Sequence, residues 1–282
     1  MNKISYFSLT FFFGFFVFYP SPNREEVLSD ETEDNVDACQ IDNLTFQVGE
    51  DLVYTVYYNW NFVWLTAGEV RFQVEDAGDE YHLVMTDRSY KSYEWLYKVR
   101  DRYDTYIDKS TLLPRLSTKT IKQGDYRLYD KTVLDQKERK VTTWRGKTED
   151  HTKEKIFEVE NCLHDMISII YHARNINFDD AQKGQAFPLE IFMDNTIYPL
   201  KMRYLGKEQE KKVKGVGKFN TILFSPEVIE GKIFKEDDQM KVWATDDRNK
   251  LPVLIESPVS VGAIKVVLKS YKGLRYDLEA KL

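Results

Sequence analysis

Four groups of neighbouring carboxylates are the residues best equipped for chemistry in this chain: Asp101 with Asp104, Asp179 with Asp180, Glu236-Asp-Asp238, and Asp246 with Asp247. Paired carboxylates act as general acid and base when one cleft drives their pKa values apart, and glycoside hydrolysis is a reaction that such geometry serves. Nothing in the spacing fixes two of them across one cleft, and Asp-Asp followed by Arg-Asn reads first as turn chemistry. No catalytic residue is assigned on this basis. His164 and His172 fall on one expected helix but eight residues apart, two turns instead of the single turn that lets two imidazoles share an ion. With His82 and His151 far away in sequence, no metal site is expected. A G-x-S-x-G nucleophile motif is absent, and Gly215-Val-Gly217 is too short for a phosphate-cradling loop, so no cofactor is expected either.

Aromatic residues are the second chemical resource, with five tryptophans and 18 tyrosines. Most are what a large antiparallel sheet needs as core and cross-strand pairs. Trp60, Trp64 and Trp95 lie beyond the regular core-facing pattern and are the candidates to border a site for a lipid or glycan.

The compartment is legible at the N-terminus. Lys3 precedes the uncharged run ISYFSLTFFFGFFVFY, which ends at Pro20. A spanning helix needs about 20 apolar residues, so residues 1–21 read as an export signal, cleaved or retained as an anchor. Residues 22–40 form an acidic, aromatic-poor linker whose composition cannot offset its ordering entropy. Residues 41–282 then make one β-rich domain. The expected location is the periplasm, with membrane contact only through an uncleaved N-terminal segment. A formal net charge of -6 without basic blocks gives no footprint for nucleic acid.

An oxidising compartment bears on the two cysteines. A lone pair of cysteines there is more often bridged than free, which predicts a Cys39–Cys162 disulfide. A free Cys39 and a simply buried Cys162 is the alternative.

The elements that must position these groups follow period two from Leu44 onward. Strand candidates include 52–58, 81–89, 102–107, 115–122, 126–134 and 140–144, then 186–193, 196–204, 213–224, 240–244, 251–257 and 263–271. Gly78, Gly124 and the Thr245–Lys250 stretch supply turn chemistry, with Asn249 suited to a left-handed position. The pattern predicts a mainly β fold, a large antiparallel sheet curled into an open or closed barrel-like body. One principal helix over residues 162–175 packs on or in it through Leu163, Met166, Ile167 and Ile170. A shorter helix or turn is expected over 91–99. Along YNWNFVWLTAGEVRF, alternation is clean from Glu69 onward but puts Val63, Leu65 and Ala67 on the wet side, so either something covers that half of the strand or a bulge at Ala67-Gly68 resets the register.

The ordered set Phe46-Gln-Val-Gly-Glu50, Ala67-Gly-Glu69, Arg100-Asp-Arg-Tyr103, Asp165-Met-Ile-Ser168, Tyr171-His-Ala-Arg-Asn175, Gly217-Lys-Phe219 and Val242-Trp-Ala-Thr-Asp-Asp-Arg-Asn-Lys-Leu-Pro252 resembles the exported bacterial proteins of domain of unknown function 3108. The resemblance implies export to a Gram-negative periplasm and a β-rich, barrel-like fold with helical additions. It carries over no catalytic residue. Export, the abundance of aromatics and the lack of a catalytic signature set three functions in order: binding of a lipid, glycan or envelope protein without catalysis, carboxylate-based hydrolysis of envelope glycans, or a structural role in envelope assembly.

Overall fold

The computed structural model describes residues 40–60, 63–94, 97–227, 239–259 and 262–282. Its strands are β1 (Asp51–Trp60), β2 (Val63–Ala77), β3 (Glu80–Ser89), β4 (Arg100–Asp108), β5 (Pro114–Gln123), β6 (Tyr126–Asp135), β7 (Lys140–Gly146) and β8 (Thr152–Glu158). After helix α1 (Ser168–Asn175) come β9 (Ala186–Met193), β10 (Thr196–Val213), β11 (Gly217–Pro226), β12 (Lys241–Thr245), β13 (Pro252–Pro258) and β14 (Ala263–Lys272).

All fourteen strands join one sheet in the order β8-β7-β6-β5-β4-β3-β2-β1-β14-β13-β12-β11-β10-β9. The chain therefore starts in mid-sheet, meanders out to the β8 edge, crosses through α1 to the β9 edge, and meanders back until β14 pairs with β1. Hairpin connections account for the adjacency of sequential strands, because the glycines at the turns adopt positive φ, 73° at Gly78 and 53° at Gly124. In the Thr245–Lys250 turn the left-handed residue is Lys250 (φ 43°), not Asn249. Asn249 is fully buried instead, its side chain fastening the C-terminal segment.

The expected bulge is present. Val56 pairs with Gly68 and Tyr57 with Thr66, leaving Ala67 as the extra residue. Ala67 is buried, and its carbonyl accepts from Tyr90 N at 3.2 Å. Gly68 is required there because a Cβ would stand 2.6 Å from the Arg88 carbonyl oxygen.

Helix α1 starts later than its apolar periodicity predicts. His164 is drawn into a parallel bridge with Ile191, donating its N–H to Glu190 O (3.0 Å) and accepting from Phe192 N (2.8 Å). Asp165 and Ser168 then cap reciprocally, Ser168 N to Asp165 Oδ1 (2.8 Å) and Asp165 N to Ser168 Oγ (3.0 Å). The buried face is accordingly Ser168, Tyr171, Arg174 and Asn175, with Ile170 only half-buried. Among the described residues of 91–99, a 3-10 turn forms over Lys91–Tyr93.

The helix lies against the inner face of the curled sheet, where Tyr171 meets the Phe46 ring edge-on at 4.8 Å. No backbone hydrogen bond joins edge strands β8 and β9 among the described residues. Their seam is sealed by side chains: Phe157 of β8 meets Phe192 of β9 edge-on at 5.2 Å, over Leu134, Val141 and Leu163. Gln136, in the β6–β7 turn, clamps the strap that crosses there, donating to Leu163 O (2.9 Å) and accepting from Leu163 N (3.2 Å). Closure by side chains leaves β8 as an edge, and its charged sequence TKEKIFE is what an edge strand uses to discourage pairing with other chains.

Candidate functional site

Inner positions alternate along β3 to β7, and on these strands buried polar side chains are set among apolar ones such as Leu83, Met85, Tyr103, Ile107 and Ile121. On β4 the buried residues are Asp101, Tyr103, Thr105 and Ile107, so Asp104 faces outward. There it takes Arg102 and His82, with His82 Nε2 at 2.8 Å. Asp101 and Asp104 thus lie on opposite faces of one strand and cannot act on one substrate. Strand register places a different carboxylate opposite Asp101, namely Asp87 on β3. Both are 3% exposed.

The pair is electrostatically asymmetric. Asp101 accepts from Lys122 N (2.9 Å) and from the Gln123 side-chain amide, and Lys119 adds a positive field. Burial still outweighs these and moves its carboxyl upward. Asp87 goes well above the ordinary carboxylate range, through burial and then the Asp101 charge. Of the two carboxyls, Asp87 is therefore the one held further from ionising, and Asp101, with its two donors, the one held less far. Sequence reasoning missed Asp87 because its adjacency is a matter of strand register, not spacing.

One inner row further along, Lys119, Asp130 and Arg145 are cross-strand neighbours on β5, β6 and β7. The β9–β10 turn reaches across the interior to them. Asp194 meets Lys119 Nζ at 2.8 Å and also Arg145, which in turn pairs with Asp130. Next to it, Thr143 Oγ1 donates to Asn195 at 2.8 Å. Asp194 is thus the far end of the sheet clamped to the near one. Its positive φ of 53° is a left-handed turn conformation that Asp tolerates.

A third buried group surrounds the start of α1. The His164 and His172 rings lie 4.4 Å apart, which corrects the expectation that two helical turns separate them. The correction follows from the helix start: His164 sits before α1, in extended backbone, so its ring folds back over the first turns. Burial, and for His164 the neighbouring His172, depress both imidazoles, His164 well below the usual range and His172 to about 4. His164 Nδ1 is 3.2 Å from Ser168 Oγ, and Asp165 accepts from Thr105 Oγ1 at 2.5 Å. A Ser-His contact is the ingredient of a nucleophile, but Ser168 is fully buried and its oxygen is already used as a cap. Among the described residues no group of three or more His, Cys, Asp or Glu is arranged to hold a metal.

The remaining sequence candidates are scattered. Trp64 is 44% exposed beside exposed Val63 at the start of β2, its ring under the Lys265 ammonium at 4.8 Å, so it does not border the core. Trp60 ends β1, but its side chain, like Trp95 and Cys39, lies outside the described residues. Cys162 is disulfide-bonded and sits beside the seam, with Arg139 Nη1 donating to its sulfur at 3.2 Å. Asp246 pairs with Lys207 at 2.9 Å, whereas Asp247 is spent on the turn, accepting from Thr245 Oγ1 (2.7 Å) and Asn249 N (3.0 Å). That adjacent pair is not an acid-base couple.

Comparison with known proteins agrees with this architecture. Residues 53–269 match a family described as "Protein of unknown function (DUF3108)". Among solved structures, the chain is similar to a β-barrel-like protein of domain of unknown function DUF1849 from Brucella abortus, with a TM-score of 0.53 and 11% identity. The superposition covers 83% of this chain and all of that one, a likeness of fold. No curated protein matches the sequence.

Proposed function

The chain belongs to the DUF3108 family, and from that premise we propose that it is an exported envelope protein that works by binding a lipid, a glycan or an envelope protein, without catalysis. The observation that carries this reading is where the reactive groups are. Asp87 opposite Asp101 and His164 against Ser168, the close pairs with acid, base or nucleophile character, are each 6% exposed or less. A general acid must come within hydrogen-bond reach of its substrate, and these groups are shut inside the sheet.

Export is supported by the apolar run that follows Lys3, and the bonded state of Cys162 suits an oxidising compartment. Contact with a ligand or partner then falls to Trp64, which is exposed, with Trp60 and Trp95 as the other members of the proposed set. Native mass spectrometry of protein recovered from the envelope fraction tests the reading. A bound mass that Trp64→Ala diminishes is the expected result. Retention of the full-length chain in the cytoplasm, or a single unliganded mass from the envelope, would overturn it.

A further inference from the structure

The β12–β13 turn and the C-terminal segment after β14 enclose an open cleft of about 700 Å³. Its lining is polar and cationic in a particular way. The Arg248 guanidinium lies 3.6 Å from the centre of the Tyr276 ring, and that of Arg275 lies 5.6 Å from the same ring. Both arginines are exposed, and neither meets a carboxylate among the described residues. Arg275 gives Nη1 to the carbonyl of Asn43 at 2.7 Å, which fixes its stem and leaves the rest of its fork unspent. Among the described residues, Arg248 makes the ring contact and no hydrogen bond or ion pair. The other cation of the cleft, Lys272, is held by Asp51 at 3.1 Å.

A guanidinium stacked on an aromatic face is held in one plane with its N–H edge outward, the presentation that suits bidentate contact with a tetrahedral oxyanion. The walls are fixed in advance. Buried Asn249 donates to the carbonyls of Tyr276 (3.1 Å) and Asp277 (3.2 Å) and accepts from Tyr276 N (3.1 Å). Asp247 Oδ2 accepts from Ala280 N at 3.1 Å. Little ordering cost is therefore left for a ligand to meet. Asp277 and Glu279 line the same cleft and set its selectivity, since two carboxylates disfavour a dense polyanion and tolerate a single phosphate.

We propose that this cleft binds a phosphate-bearing ligand through Arg248 and Arg275, with Tyr276 as their common platform. The assignment deepens the binding reading above and rests on it, naming the ligand chemistry and a second place for it. The same group is presented by free inorganic phosphate and by a phospholipid headgroup, and two arms separate them. One titrates the full chain with inorganic phosphate by NMR. The other floats it with phosphatidylglycerol vesicles. Binding in either arm, weakened about tenfold by Arg248→Gln and further by adding Arg275→Gln, is the expected result, as charge-assisted hydrogen bonds are lost. Asp277→Asn with Glu279→Gln should tighten it. Arg248→Gln touches no hydrogen bond of the fold, so an unchanged melting curve guards against misfolding. No binding in both arms, or arginine variants that bind like the parent, would overturn the site. A ligand found by native mass spectrometry in protein that fails both arms would leave the broader reading standing and remove only this one.

Discussion

Arg174 on α1 and Glu50 before β1 form a doubly hydrogen-bonded ion pair in the core, Nη1 to Oε1 at 2.6 Å and Nη2 to Oε2 at 2.8 Å, across 124 positions of sequence. The same guanidinium donates to the carbonyl of Asn249 at 3.1 and 3.2 Å. One side chain thus ties the helix to the start of the sheet and to the β12–β13 turn. Removing either partner strands a buried charge. Arg174→Met and Glu50→Gln should each lower unfolding free energy by about 3–5 kcal/mol, and the double variant should lose less than the two together. Urea titrations of the four proteins provide the measurement, and simple additivity would contradict the coupling.

The upward shift of the Asp87 carboxyl sets a sign. Its folded pKa is raised by burial and by Asp101, so the stability it allows is fully present below the unfolded value and is lost as pH climbs toward the folded one. Asp87→Asn keeps the shape and cannot ionise. Its denaturation midpoint should match the parent near pH 4 and exceed it at pH 7.5. Equal midpoints at both values would mean that Asp87 is solvated.

The histidines push the other way. Folded His172 titrates near 4, depressed by burial, while an unfolded histidine protonates near 6.5. The unfolded chain therefore gains protons first, and stability should fall as pH drops from about 6.5 toward 4, by up to a few kcal/mol for this residue. The window overlaps that of Asp87 with opposite slope, so the parent's profile blends both. Comparing His172→Gln with the parent isolates the histidine part. A variant profile as steep as the parent's between pH 4 and 6.5 would contradict its buried, neutral state.

What could be read from sequence was governed by local rules. Period-two alternation, the turn glycines Gly78 and Gly124, and the register break at Ala67 all depend on residues within a few positions, and they gave the sheet and its meander. Strand β8 escaped notice because an edge strand hides its periodicity behind lysine and glutamate. The start of α1 was misplaced because Leu163 obeys helical spacing, yet buries itself in the seam beneath Phe192. Asp87 beside Asp101, Glu50 beneath Arg174, and His164 over His172 depend on which strands curl together. Arg174 stands in the last turn of α1, where a cation complements the helix dipole, and only burial reveals it as the core's fastening.

The disulfide is the last test of how the sheet is held shut. Cys162 is bonded, and we propose Cys39, the chain's other cysteine, as its partner. Cys162 begins the strap whose next residues clamp to Gln136 and bridge to Ile191, so a bond there anchors the residues that bring the β8 edge to the β9 edge. A loop of that length restricts the unfolded chain by about 4–5 kcal/mol in the chain-entropy account. Thiol titration of envelope-derived protein in denaturant should find no free thiol. Non-reducing peptide mapping should recover the fragment of Cys39 joined to that of Cys162. Reduction should then lower the urea midpoint, and Asp194→Ala, which releases the other end of the closure from Lys119 and Arg145, should deepen the loss. Two free thiols, or a Cys162 joined to another molecule, would show that the seam holds without this bond.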